Sequence, residues 1–268
     1  MPPKLTVVTA CRNARATIAE AIESVHRQTY SALEHIVVDG ASTDGTLAVV
    51  ERFRGRIGKL ISEPDAGLYF AMNKGIAAAT GDYLGFLHSD DVYNDERVLE
   101  RIAEATWSGC DAVHGDLVYV RATDPARVVR YWKSMAYAPG GFEAGWHPAH
   151  PTLFVRTSLL KELGGFDTRY RYHADFDLMV RLFVERGISS AYIPEVLVRM
   201  RTGGHSNRSL ANIYRGNRES YAIARRSGIA GSPWWFARKL GFRLRQFLNR
   251  PALVGEGMQS RSTRSASR

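Results

Sequence analysis

Three short acidic segments carry most of the chemistry that this sequence could perform. Phe86-Leu87-His88-Ser89-Asp90-Asp91 sets two adjacent carboxylates at the end of a very apolar run, Tyr83-Leu84-Gly85-Phe86-Leu87. Side by side, those carboxylates repel each other and lose hydration, a cost that a bound cation removes. Hard oxygen donors in an incomplete set, completed by water and a diphosphate, suit Mg²⁺ or Mn²⁺. An exposed turn that caps a helix near Asp95 is the competing reading, because aspartate also favours turns. In Val37-Val38-Asp39-Gly40-Ala41-Ser42-Thr43-Asp44-Gly45-Thr46, Asp39 stands beside a turn into a helix. It could accept hydrogen bonds from a nucleoside, or merely end a strand while Asp44 caps the helix. In Tyr172-His173-Ala174-Asp175-Phe176-Asp177-Leu178, Asp175 lies three and four residues before the apolar stripe Leu178, Met179, Leu182 and Phe183 begins. That spacing turns it inward, either as a helix cap or as a general base facing a cleft.

The elements that must position these residues alternate in the first half of the chain. Strands are predicted at 5–9, 33–39, 59–62, 82–87 and 112–114, with helices at 14–27, 44–53, 68–79 and 96–105 between them. This is the α/β pattern of a mostly parallel sheet flanked by helices. Ligands of open α/β sheets bind beyond the carboxyl ends of the strands, which gathers residues 9–13, Asp39 and Asp90 on one edge. After Asp116 the rhythm changes. Residues 119–132 read as irregular or antiparallel structure and 138–151 as a Gly/Pro/aromatic loop. Helices follow at 157–163 and 176–186, strand-like segments at 190–193 and 196–200, and helices at 209–226 and 233–249. The Ser/Arg/Gly-rich end, 255–268, is predicted to be disordered.

The 268 residues suffice for one sizeable core with a C-terminal extension. Two isolated cysteines, Cys11 and Cys110, form neither a disulfide framework nor a Cys-x-x-Cys metal pattern, which favours a reducing compartment. Met1-Pro2-Pro3-Lys4 leads straight into a strand, with no signal-peptide pattern, and no run is long enough to span a bilayer. A cytoplasmic protein is expected. The net charge of +9 is unevenly spread: residues 199–268 hold 15 Lys/Arg against 2 Asp/Glu, leaving residues 1–198 with 21 against 25, a net −4. A mildly acidic body with a basic tail argues against a nucleic-acid surface. In residues 233–250, Phe236, Leu240, Leu244 and Phe247 share one helical face, with Trp234 and Trp235 at its start and Arg238, Lys239, Arg243 and Arg250 on the other side. Such a helix suits an anionic membrane surface at the inner face of the plasma membrane, or docks on the body with a solvated basic face.

Taken in order, the motifs resemble the family-2 glycosyltransferases. They run through Val7-Val8-Thr9-Ala10-Cys11-Arg12-Asn13, the Asp39 segment, Glu63-Pro64-Asp65-Ala66-Gly67-Leu68-Tyr69-Phe70-Ala71-Met72-Asn73-Lys74-Gly75, Ala79-Thr80-Gly81-Asp82 and Ser89-Asp90-Asp91. They continue through His150-Pro151-Thr152-Leu153-Phe154, Gly164-Gly165-Phe166-Asp167 and the Asp175 segment to Gly203-Gly204-His205-Ser206, covering about residues 4–207. The resemblance implies a GT-A (Rossmann-like) catalytic domain over 1–207, a basic helical extension over 208–250 and a disordered tail over 251–268. It implies inverting transfer from a nucleotide-diphosphate sugar to a saccharide or lipid-linked acceptor in bacterial cell-surface assembly. Thr9, Ala10, Asn13, Asp39, Ser42, Asp65 and Asn73 would hold the nucleotide sugar. Asp90 would face the ribose, Asp91 and Asp90 would serve the Mg²⁺ or Mn²⁺ and diphosphate, and Asp175 would be the base. His150 and His173 are candidates for the acceptor site. His88 stands where many members carry Asp or Asn, and Ala174 where many carry Glu. Two rivals remain: a nucleotidyltransferase, which should carry a Gly-rich basic loop where residues 9–13 lack one, and a non-catalytic nucleotide-sugar-binding protein.

Overall fold

A computed structural model describes residues 2–203, 210–230 and 234–247. The N-terminal half builds β1 (Leu5–Cys11), α1 (Ile18–His26), β2 (Leu33–Asp39), α2 (Thr46–Glu51), β3 (Lys59–Ser62), α3 (Leu68–Ala78) and β4 (Tyr83–Phe86). Strands β3, β2, β1 and β4 lie side by side and parallel, so their carboxyl ends share one edge. Strands β1 and β4 are buried throughout, which is why they read as continuous apolar runs rather than alternating ones. Helix α3 lies close over β1 because of Gly75. A β-carbon there would come within 2.4 Å of a Val8 methyl.

Beyond β4 the sheet becomes mixed. It runs on through β8 (Phe154–Arg156), β6 (Ala112–Arg121), β9 (Ser190–Arg201) and β5 (Val92–Tyr93), while β7 (Asp124–Trp132) pairs with β6 as an antiparallel hairpin. Strand β8 is antiparallel to both β4 and β6, so β6 and its parallel neighbour β9 point the same way as the first four strands. The result is a mostly parallel α/β sheet, flanked by α1–α3, by α4 (Val98–Thr106) and α5 (Thr157–Glu162), and by α6 (Ala174–Met179). The two segments expected at 190–200 are one strand. Pro194 and Glu195 are looped out where the register against β6 shifts, since proline has no N–H to give the ladder.

Helix α6 widens into a π-helical stretch at Val180–Glu185. The C-terminal helices α7 (Leu210–Arg226) and α8 (Trp235–Arg245) follow. Ile223, Ala224, Ile229 and Trp235 join the main core cluster with Phe142, Phe176 and Phe183, so both helices pack on the body. The 207/208 boundary, the Gly203-Gly204-His205-Ser206 motif beyond Gly203, Arg250 and the 251–268 tail lie outside the described residues.

Candidate active site

Strand β2 delivers Asp39 to the shared edge, fully buried. Its Oδ1 accepts the Ser42 hydroxyl at 2.5 Å, and its Oδ2 accepts the Ser62 hydroxyl at 2.8 Å. Burial, then the Asp39 carboxylate, pushes the Cys11 thiol up to about 12, so it stays protonated and points at Asp39 Oδ1. Asn13 and Ala41 both adopt left-handed backbone conformations here, and Asn13 Oδ1 accepts the Thr43 N–H at 2.9 Å. Non-glycine residues held in that region mark a loop shaped by its surroundings. Asp65 sits across from it, 3.3 Å from the place a Gly40 β-carbon would take, and its carboxylate pairs with Lys74. The structure thus gathers Asn13, Asp39, Ser42 and Asp65 around one rim, with Ala10 one residue before the end of β1.

Two expected neighbours are engaged elsewhere. The Thr9 hydroxyl lies on the same face of β1 as Cys11 but two residues deeper in the strand, 3.1 Å from His35 Nε2. The Asn73 amide is committed at both ends to the backbone of Phe166, at 2.8 and 2.9 Å. Their side chains brace the sheet and the Gly165-Phe166 turn rather than open onto the rim.

Past the end of β4, His88, Asp90 and Asp91 form a tight turn closed by the Asp91 N–H on the His88 carbonyl. Asp91 is fully buried; its Oδ1 accepts the Arg201 N–H at 3.3 Å, while Oδ2 has no partner. Burial, and then Asp90 beside it, raises the Asp91 carboxyl well above the usual range. An orphaned carboxylate oxygen next to a second carboxylate is the environment a hard divalent cation relieves. Among the described residues no cluster of three or more His, Cys, Asp or Glu could hold a metal alone, so the donor set here is incomplete by itself.

Asp175 opens onto a cavity of about 160 Å³ whose walls include Tyr69, His88, His147, His150, Trp132 and Tyr172. The Tyr69 hydroxyl lies 3.1 Å from Asp175 Oδ1 and 3.1 Å from the Tyr172 carbonyl, and its single proton can serve either. Burial pushes the Asp175 carboxyl up, but His150, His173, the Phe176 N–H and His147 outweigh it and hold the group below the usual carboxylate range. Burial in turn lowers His147 and His150 to about 4. The cavity thus sets a carboxyl held on the acidic side among imidazoles held on the weakly basic side. His150 Nε2 and Trp132 Nε1 are buried without partners on the same walls, polar groups left for a ligand to satisfy. His173 flanks Asp175 and is not among the residues lining the cavity.

Tyr69, His147 and Trp132 escaped the sequence reading. Tyr69 lies inside a quoted motif, but nothing in spacing alone distinguishes an aromatic that reaches a carboxylate from one that fills a core. A larger cavity of about 290 Å³ lies between α5 and α7, lined by Arg169, Arg181 and Arg226. Its guanidiniums are occupied: Arg169 pairs with Asp167, and both Arg181 and Arg226 pair with Asp177.

Comparison with known proteins decides the family. The model of "Glycosyl transferase family 2" matches residues 6–160, more than half of the chain. The chain belongs to glycosyltransferase family 2. This family 2 glycosyltransferase is 30% identical over 211 residues to a "PGL/p-HBAD biosynthesis glycosyltransferase" of Mycobacterium tuberculosis, covering 76% of this chain and 80% of that protein. It is also 30% identical over 205 residues to "Putative glycosyltransferase EpsE" of Bacillus subtilis, covering 74% and 73%. Its fold resembles that of S. aureus TarS 1–349 in complex with UDP, with a TM-score of 0.63 at 18% identity over 92% of this chain and 72% of that one. A mannosyltransferase from Pyrobaculum calidifontis, in complex with GDP-Man and Mn²⁺, aligns with a TM-score of 0.56 at 19% identity, covering 94% and 82%. The architecture is GT-A, and the enzyme is a nucleotide-sugar-dependent glycosyltransferase.

Proposed function

We propose that this enzyme transfers a sugar, with inversion, from a nucleotide-diphosphate donor to an acceptor hydroxyl, with Asp175 as the base. The observation that carries this is the Asp175 carboxylate on a cavity wall, backed by the Tyr69 hydroxyl and beside the turn that carries Asp90 and Asp91. Asp39, Asp65, Asn13, Ser42 and the Ala10 backbone form the nucleoside rim in this reading. Thr9 and Asn73 support it from behind. Asp175 takes the acceptor proton as the acceptor oxygen attacks the face opposite the diphosphate, so an α-linked donor yields a β-product. His150 and Trp132 would orient the acceptor or the donor sugar through the groups they leave unpaired, and His173 would act from beside Asp175.

The cation we propose is Mg²⁺ or Mn²⁺, held by Asp91 with Asp90 turned toward the ribose. When bound it would offset charge growing on the diphosphate, a Lewis-acid contribution of several kcal/mol. The test is a panel of nucleotide sugars read by thermal unfolding with and without Mn²⁺. One donor near 100 Kd should stabilise by about 2.7 kcal/mol, a shift of roughly 5 °C or more. Asp91→Asn should abolish the Mn²⁺-dependent part. A shift that survives this substitution would remove Asp91 from the cation site.

The acceptor in this reading is a saccharide or lipid-linked hydroxyl in bacterial cell-surface polysaccharide or glycolipid assembly, which the relative named for PGL/p-HBAD biosynthesis supports. No helix among the described residues is long and apolar enough to cross a membrane. Helix α8 offers another route to a lipid acceptor, at the inner face of the plasma membrane. It docks through Trp235, Lys239, Phe242 and Gln246, leaving Trp234 at 70%, Leu240 at 57% and Leu244 at 58% exposure. Lys239 is therefore not on the solvated face expected from its spacing. It lies over the Phe176 and Trp235 rings, and burial lowers it to about 8. Arg238 and Arg243 remain exposed beside the apolar stripe, an arrangement that fits an anionic lipid surface. Flotation with vesicles rich in anionic lipid should be reduced at least fivefold by Leu240→Glu combined with Leu244→Glu. Equal flotation would rule this surface out.

A further inference from the structure

A carboxylate of the C-terminal helix α7 lies directly under the segment that leads to the base. Glu219 Oε1 accepts the Arg171 N–H at 3.1 Å, while Oε2 accepts the Tyr172 N–H at 2.8 Å and the His173 N–H at 3.1 Å. Three consecutive backbone N–H groups turned onto one anion form a nest, and the anion holds them in that conformation. The next residues are Ala174 and Asp175, at the start of α6. The same segment is gripped from the opposite side, where the Tyr69 hydroxyl lies against the Tyr172 carbonyl and Asp175 itself.

Helix α7 has further holds on this region. The Tyr172 hydroxyl donates to Asn212 Oδ1 at 3.0 Å. Gly216, one turn before Glu219, lets the helix approach: a β-carbon there would come within 2.7 Å of His173 Cε1. At its far end, Arg226 pairs at 2.9 Å with Asp177, a fully buried carboxylate in the first turn of α6. The lead-in and the first turn of the helix carrying Asp175 are thus both held from α7.

We infer that Glu219 is a positioning residue for the catalytic base, acting through the backbone of residues 171–173. The inference rests on the reading of Asp175 as the base. It makes residues 210–226 part of the catalytic unit rather than an appended extension. A carboxylate that merely stabilised the fold would leave each folded molecule as active as before. One that positions Asp175 lowers turnover while leaving the donor site, built on β1 and β2, intact.

The test uses the full chain with Glu219→Ala and Glu219→Gln. Hydrogen exchange should be at least tenfold faster at the amides of residues 171–173 in Glu219→Ala. With the donor identified by the thermal screen, kcat should fall at least tenfold while donor KM stays within twofold. Glu219→Gln should be intermediate, because its amide oxygen still accepts while its NH₂ cannot. A kcat per folded molecule within twofold of the parent overturns the inference, whether or not Tm falls, and so does unchanged exchange. If the parent enzyme transfers no sugar, the base reading fails first, and the exchange measurement still decides whether Glu219 holds this segment.

Discussion

Asp175→Asn is expected to lower kcat about 10³-fold while leaving donor KM and thermal stability nearly unchanged. The size follows from the role: a positioned general base contributes typically about 10²–10⁴. The selectivity follows from the surroundings. An asparagine is close in shape, and its carbonyl oxygen can still accept the Tyr69 hydroxyl that lies 3.1 Å from Oδ1. What it lacks is the basic lone pair that takes the acceptor proton. Because the carboxyl is held below the usual range, the parent enzyme should keep its base ionised throughout the neutral region. Steady-state kinetics with the donor found by thermal screening, together with NMR of the anomeric proton in the product, checks both parts. Activity above one tenth of the parent level would remove Asp175 from the base role. A product retaining the donor's anomeric configuration would remove inversion.

The sheet edge was legible in the sequence because its signals are local and long. Strands β1, β2 and β4 are apolar runs, each followed within a few residues by an acidic or turn-forming segment, and parallel α/β topology brings such ends together. Asp91 is not the exposed turn residue of the competing helix-cap reading: it is buried just before β5, and its Oδ2 has no protein partner. Strands β5 and β8 passed unseen for the opposite reason. They are two and three residues long, too short for any period, and exist because β9 and β4 offer them partners. Thr9 shows the limit of reading a motif by position. Its side chain shares the face of Cys11 but lies two residues back from the strand end, where buried His35 takes it. Glu219 carries no sequence signal at all. A glutamate on an amphipathic helix normally faces water, and its three partners lie 46 to 48 residues earlier in the chain. Lys239 was misplaced by the same logic: the face that docks is set by the groove it meets, not by the widest apolar stripe.

Acidification from pH 7.5 to 5 is expected to cost the fold at least about 4 kcal/mol, from histidines that are buried neutral. His35 and His114 are nearly or fully inaccessible, and burial lowers them to about 3 and about 4, with His26 adding to the shift of His35. Their settings explain why protonation is resisted. His35 lies between Thr9 and His26, itself lowered to about 4 by burial and then by Arg56. His114 is packed among Trp146, Phe183 and Tyr192. In the unfolded chain each takes a proton near pH 6.5, while the folded chain does not until pH 3–4. The unfolded state therefore binds more protons within that window. Stability is fully present above pH 6.5 and falls as the pH drops toward 4. At pH 5 each histidine contributes about 2 kcal/mol of this loss. Asp91 works with the opposite sign, because its carboxyl is raised, but His26, His147 and His150 add to the loss and outnumber it. Urea unfolding at a series of pH values checks the slope. His114→Phe, which cannot take a proton, should remove roughly one histidine's share, about 2 kcal/mol at pH 5, from the pH dependence. A stability flat between pH 7 and 5 in the parent, with no change of slope in His114→Phe, would mean that His114 takes a proton in the fold as readily as in the unfolded chain.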